Sequence, residues 1–289
     1  MKLVSTILFS IIVFAASAQS PFGKSPWELG IYAGPTLLSG DIGGFGIDQY
    51  NPKIMRQHGG MHARYKFSPR FSVNTSFQFG LYEANDAYSS SESLKERNLM
   101  VRTTVAELAS VAEYHLIKDS EMAGESGRFN LFVFGGVSIM GFNPRGRLIR
   151  NGEGVMYNLH PLQLEGEDYS RVTLGIPMGL GMKYNINDKW SVSYTMRMNY
   201  TFTDYIDDAS NEWTTREFIA ENSVGGLGTS FYDRYSGAPG KQRGNPESND
   251  WIMSHQLGFV YRLEMGEIRR SNLYHFFDFW FSKPGRKKF

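Results

Sequence analysis

Apolar and polar residues alternate with a period of two over unusually long stretches, which restricts the chain to strands with two unlike faces. From Trp190 to Thr203, the residues Trp190, Val192, Tyr194, Met196, Met198, Tyr200 and Phe202 oppose Ser191, Ser193, Thr195, Arg197, Asn199 and Thr201. From Phe71 to Tyr82, Phe71, Val73, Thr75, Phe77, Phe79 and Leu81 oppose Ser72, Asn74, Ser76, Gln78 and Gly80. Val172 to Tyr184 repeats the pattern, with Thr173, Gly175, Gly179, Gly181 and Lys183 on its polar side. A strand that crosses a bilayer needs roughly 9–11 residues, and each of these stretches is long enough.

Five weaker stretches read as strands as well: Trp27 to Thr36, Gly59 to Phe67, Leu99 to Leu116, Phe129 to Phe142 and Trp251 to Leu263. The apolar phase changes between Val105 and Leu108, which predicts a β-bulge. Pro177 lacks a ladder donor and predicts a local defect in its strand. Connections alternate between short and long along the chain. Ser68-Pro69-Arg70, Ile117 to Arg128 and Asn185-Ile186-Asn187-Asp188 are the shorter ones. Leu37 to His58, Glu83 to Asn98, Asn143 to Arg171 and Asp204 to Asp250 are long. Outer-membrane barrels join their strands by short periplasmic turns and longer outer loops. About eight strands with this parity put both chain ends on the periplasmic side.

The start of the chain reads as an export signal, with Lys2, an apolar run from Leu3 to Ala15, and Ala16-Ser17-Ala18 before cleavage at Ala18–Gln19. That run is too short for a membrane helix, so any membrane crossing must use strands. There are no cysteines, which excludes disulfides, thiolate metal sites and a Cys nucleophile. A net charge of +1 gives no electrostatic case for nucleic acid. Mean hydropathy is negative at −0.35, as a membrane protein allows only if alternate residues meet lipid. A soluble lipocalin-like barrel also alternates, but its water-facing side should carry many Lys and Glu. Here the polar faces of Val172–Tyr184 and Trp190–Thr203 are mostly Gly, Ser, Thr and Asn, which suits a narrow filled lumen. Trp27, Tyr65, Phe67, Tyr184, Trp190, Phe202 and Trp251 fall near strand ends, where an interfacial girdle would stand. The expected fold is all-β: an antiparallel up-and-down transmembrane β-barrel of about eight strands with long extracellular loops. A signal peptide (1–18) precedes the outer-membrane barrel (19–263), and a periplasmic tail (264–289) follows it. The tail joins aromatic Tyr274 to Phe281 with basic Arg286-Lys287-Lys288, a composition that suits a membrane-surface or periplasmic contact and equally an additional strand end or a disordered tail.

Chemistry is sparse. His58, His62, His115, His160, His255 and His275 are scattered, and no H-E-x-x-H, P-loop or G-x-S-x-G motif is present. No catalytic residue, cofactor or small-molecule substrate is expected. The sharpest local feature is Asp204-Tyr205-Ile206-Asp207-Asp208, at the start of the longest loop. Three carboxylates in five residues could hold calcium, but the spacing is not that of an EF-hand. Anchoring of the loop base by Asp204, Tyr205, Asp207 and Asp208 is the preferred reading, with no metal assigned.

Several segments resemble the PorG-like family of Bacteroidetes outer-membrane barrels, which includes a type IX secretion component. They are Glu28-Leu29-Gly30-Ile31 with Gly40-Asp41-Ile42-Gly43, then Ile176-Pro177-Met178-Gly179, and Thr203 to Ser210. The resemblance spans Trp27 to Ser210 and leaves Asn211 to Asp250 and the tail unmatched. It implies a non-enzymatic role in anchoring the periplasmic ring of the secretion machine to the outer membrane. The periplasmic turns or the basic tail would make the contacts with ring subunits. Two other readings stand beside it: a surface barrel whose outer loops bind ligands or surfaces, and a lipid-modifying enzyme.

Overall fold

In the computed structural model, the described residues are 26–44, 50–119, 128–150, 152–223, 226–235 and 237–263. The export signal at 1–18, the Ala18–Gln19 cleavage point and the tail at 264–289 lie outside them. Nine strands follow in order: β1 (Trp27–Ser39), β2 (Arg56–Lys66), β3 (Phe71–Asn85), β4 (Met100–His115), β5 (Phe129–Arg150), β6 (Glu153–Asn158), β7 (Val172–Asn185), β8 (Trp190–Thr201) and β9 (Trp251–Arg262). Eight of them close an antiparallel barrel, each pairing with the next barrel strand and β1 with β9, while β6 pairs only with the far end of β5. No helix among the described residues is long and apolar enough to cross a membrane.

The alternation places the faces. Leu29, Ile31, Met61, Phe77, Phe79, Leu108, Val137, Ile139, Leu174, Leu180, Leu257 and Phe259 are exposed on the outer wall. At the short-turn end, aromatic pairs ring the barrel: Trp27 with Tyr65, Phe71 with Tyr114 and Trp190 with Tyr261. Both barrel termini lie at this end, since Glu28 pairs with Arg262.

Three expectations about the strands meet different outcomes. The predicted bulge in β4 is absent: its register with β3 runs unbroken from Asn85–Met100 to Phe71–Tyr114. Its odd-numbered residues face inward throughout. Val101 and Val105 pack under the loops while Glu107 and Glu113 join buried ionic networks, so residue character changes along one face and the backbone does not. The defect expected at Pro177 is present on one side. Pairing of β7 with β5 stops at Gly135–Met178 and resumes at Ser138–Gly175, whereas pairing with β8 continues through Pro177–Asn199. Third, β5 runs past Phe142 to Arg150 and turns into β6 as a hairpin above the rim.

The long loops fold over the barrel mouth as a cap. They carry α1 (Glu92–Arg97), α2 (Arg216–Asn222) and α3 (Leu227–Arg234). Thr215 caps α2 by accepting the Phe218 N–H at 3.2 Å. Ile42, Leu99, Leu159, Leu164, Ile206, Trp213, Ile219, Phe231 and Tyr235 form an apolar core continuous with Val101, Val105 and Phe142 at the mouth. Burial of these side chains stabilises the loops at about 1.5–3 kcal/mol each.

Candidate functional site

The acidic segment after β8 sits inside the cap and ties its loops together. Asp207 accepts the Ile42 N–H at 2.8 Å and the Ala209 N–H at 3.0 Å. Asp250 accepts the Ile206 N–H at 2.8 Å. Asp208 accepts the Tyr169 hydroxyl at 2.5 Å and pairs with Arg243 at 3.1 Å. Arg243 also pairs with Glu165 at 2.8 Å, and Glu165 accepts the N–H groups of Ser210 and Asn211. Tyr205 stacks on Tyr169 with centroids 4.2 Å apart. Nearby, Asp86 accepts the Gly43 N–H at 2.7 Å and is gripped by Arg97 at the end of α1. All four long loops therefore meet at one buried knot. Asp208 has φ 66°, a left-handed conformation that Asp tolerates better than most residues.

The carboxylates of the segment diverge. Asp208 turns to Arg243 and Asp207 to backbone N–H groups, and the described residues bring no three His, Asp or Glu side chains together as a metal-holding group. Among the described residues, neither oxygen of buried Asp204 has a hydrogen-bond partner, and Oδ1 of Asp250 has none either. Burial, then the charges of Asp41 and Asp207, pushes the Asp204 carboxyl up to about 8. Burial and Asp41 push Asp207 up to about 8 as well. Burial raises Asp208 only to about 6, because Arg243 opposes it.

A second polar cluster fills the lumen at the short-turn end. Glu28 takes Lys66 at 2.5 Å, Lys183 at 2.8 Å, Arg64 at 3.0 Å and Arg262 at 3.2 Å. Asp119 bridges the same two lysines at 2.6 and 2.9 Å. Glu113 holds Arg64 at 2.7 Å. Farther in, Glu107 binds Gln78, Arg197 and Asn199. Between these groups lies a cavity of about 30 Å³ beside Tyr32, His62 and Arg64, room for about one water. The expectation of a small, uncharged lumen holds for most inward positions of β7 and β8, but Lys183 of β7 and Arg197 of β8 join the paired charges that β1, β2, β4 and β9 bring inward, and these fill the space.

The lumen also places Ser72 Oγ 2.8 Å from His115 Nε2, with His115 Nδ1 2.8 Å from Asn130 Oδ1. Sequence spacing hides this Ser–His–Asn arrangement, because the three residues come from β3, β4 and β5. Ser72 donates to Glu113 at 2.6 Å and is 2% exposed. The hydroxyl is thus bound within the plug and does not face a surface from which a substrate could arrive. His255 faces outward, 2.7 Å from the Tyr194 hydroxyl. The sequence singles out the Asp204–Asp208 segment but not Arg243, Glu165 and Asp250, which join it in the knot; a lone basic residue in a long loop carries no periodic signal.

Residues 1–223 match a family model described as "Domain of unknown function (DUF6089)". No curated protein matches the chain. Among solved structures, the chain is similar to Neisserial surface protein A at 10% identity, covering 83% of this chain and 99% of that one with a TM-score of 0.40. Ail of Yersinia pestis, solved with the heparin analogue sucrose octasulfate, is 11% identical, with 82% and 99% covered and a TM-score of 0.37. Outer Membrane Protein W of E. coli is 16% identical, with 83% and 99% covered and a TM-score of 0.35.

Proposed function

The chain belongs to the family described as Domain of unknown function (DUF6089), and from that premise we propose that it is a non-enzymatic outer-membrane barrel that anchors a type IX-like secretion machine. The observation that carries this reading is that the barrel is filled at one end by ion pairs and covered at the other by folded loops. Such a body works through its outer surfaces. The apolar outer wall supports insertion with the short turns in the periplasm and the cap outside. The turns around Ser68–Arg70, Ile117–Asp119 and Asn185–Lys189 then face the periplasm, together with the paired ends of β1 and β9, where ring subunits would dock. The resemblance at Glu28–Ile31, Gly40–Gly43, Ile176–Gly179 and Thr203–Ser210 gives the machine.

The test is in-cell cross-linking from Arg70 and Asn187, with mass spectrometry of the attached proteins, alongside a deletion strain. Ring subunits on the cross-linker and loss of cargo export are expected. Normal export in a strain also lacking paralogues, with no ring subunit captured, would end the secretion reading. A second reading, a surface barrel that binds ligands through its cap, is favoured by one feature. A groove of about 390 Å³ opens beside Glu165, Glu212, Thr214, Gln242 and Pro246. Trimming residues 211–249 would abolish binding under that reading and leave export intact.

A further inference from the structure

We infer that the outer wall of the barrel holds the phosphate of an outer-leaflet glycolipid of the lipid A type, on an arginine row formed by Arg102, Arg145 and Arg147. The inference rests on the membrane-spanning reading above.

Even-numbered residues of β4 and odd-numbered residues of β5 face outward, so Arg102, Arg145 and Arg147 stand on the same wall as Leu108, Val137 and Ile139. Arg102 and Arg145 are direct cross-strand partners. Like charges in that position repel unless an anion lies between them. Glu83, directly opposite Arg102 on β3, supplies one carboxylate, but Arg56 shares it: the ion pairs measure 2.7 Å to Arg102 and 2.8 Å to Arg56. Among the described residues Arg145 donates only to the neutral Asn158, at 3.1 Å. Among the described residues no carboxylate pairs with Arg145 or Arg147, and both are exposed. The row therefore carries an uncompensated positive charge.

Its height selects the partner. At about 3.4 Å per residue and a tilt of about 40°, β4 climbs about 30 Å from the girdle residue Tyr114 to Arg102, just past an apolar band of about 25 Å. On the opposite arc this level carries aromatics, with Tyr200 4.9 Å from Trp251 and 5.6 Å from Phe202. The outward faces of β1, β7, β8 and β9 carry no Asp, Glu, Lys or Arg. Arginines thus replace the aromatic girdle on one arc only, where the neighbouring molecules are lipid headgroups. Guanidinium groups bind phosphate oxygens in a bidentate manner, and a phosphate between Arg102 and Arg145 would relieve their repulsion.

The test uses the full-length processed barrel in detergent and native mass spectrometry with three lipids: bis-phosphorylated lipid A, its dephosphorylated form and phosphatidylglycerol. The wild-type protein should retain phosphorylated lipid A about tenfold better than either other lipid. R102Q/R145Q should lose that preference, while R102K/R145K keeps part of it. Equal retention of the dephosphorylated lipid, equal retention of phosphatidylglycerol, or an unchanged preference in R102Q/R145Q overturns the inference. The wild-type comparison decides even where a variant folds poorly. Failure of the wild-type protein to insert into lipid vesicles would instead remove the membrane-spanning reading.

Discussion

Asp204 and Asp207 are buried in the cap with other acids around them and, among the described residues, no cation in an ion pair with either, which gives the cap a pH dependence of definite sign. In an unfolded chain an aspartate ionises near 3.9. In the folded cap both carboxyls hold their protons up to about 8. Between about pH 4 and pH 8 the folded cap therefore binds more protons than the unfolded one, and its stability falls as pH rises through that window. Asp208, paired with Arg243 and raised only to about 6, follows the same direction over a narrower range. Amide protection at Ile42, Ile206 and Ala209, corrected for intrinsic exchange, should be greater at pH 5 than at pH 9. D204N should flatten the profile and raise protection at pH 9. Equal protection at the two pH values would show that these carboxyls ionise normally. The Arg243 side of the knot is a different case. R243M leaves Asp208 and Glu165 buried without their cation, and should weaken the cap by ~3–5 kcal/mol at pH 7.

At the scale of a strand, inward glycines of β7 make room for neighbouring strands, and Gly181 makes it for a side chain of β5. A Cβ at Gly181 would run into the Phe132 ring, and one at Gly179 would run into the Met196 carbonyl of β8 and come 2.7 Å from the Phe134 ring. G181A should cost about 1–3 kcal/mol in urea unfolding from detergent, as overpacking does, and F132L in the same chain should recover most of it. Additive losses in the double variant would show that the two sites do not share that space. This pairing explains what was legible in the sequence. The glycines of β7 announced a narrow lumen, but their partners lie on another strand, so the sequence pattern could not say what filled it. Strand positions followed from the period of two because each strand has one face on the outside. The ionic plug was illegible: Glu28, Lys66 and Lys183 look like isolated charges in their own strands, and only barrel closure brings both lysines within 3 Å of Glu28. β4 misled for a related reason, since its inward face passes from the apolar cap to the ionic lumen and so imitates a change of phase.

The whole molecule is closed twice, by two unrelated kinds of chemistry, and that makes its permeability a sharp test. The cap is an apolar core pinned by carboxylate–amide bonds. The plug is a set of four cations, Arg64, Lys66, Lys183 and Arg262, laced to Glu28, Glu113 and Asp119. Neither depends on the other for its partners. The intact barrel should give no steady conductance in planar bilayers, because side chains fill the lumen of so narrow a barrel. Removal of residues 211–249 should leave it closed, since the plug still stands at the opposite end. Conductance should appear only when that deletion is combined with E28S, K66S and K183S, which replace the charges by small groups that admit water. A current through the wild-type barrel, or through the loop deletion alone, would mean that the ion pairs do not seal the channel. The anchoring proposal would then lose its main physical support, because a barrel that passes solutes has a use for its interior.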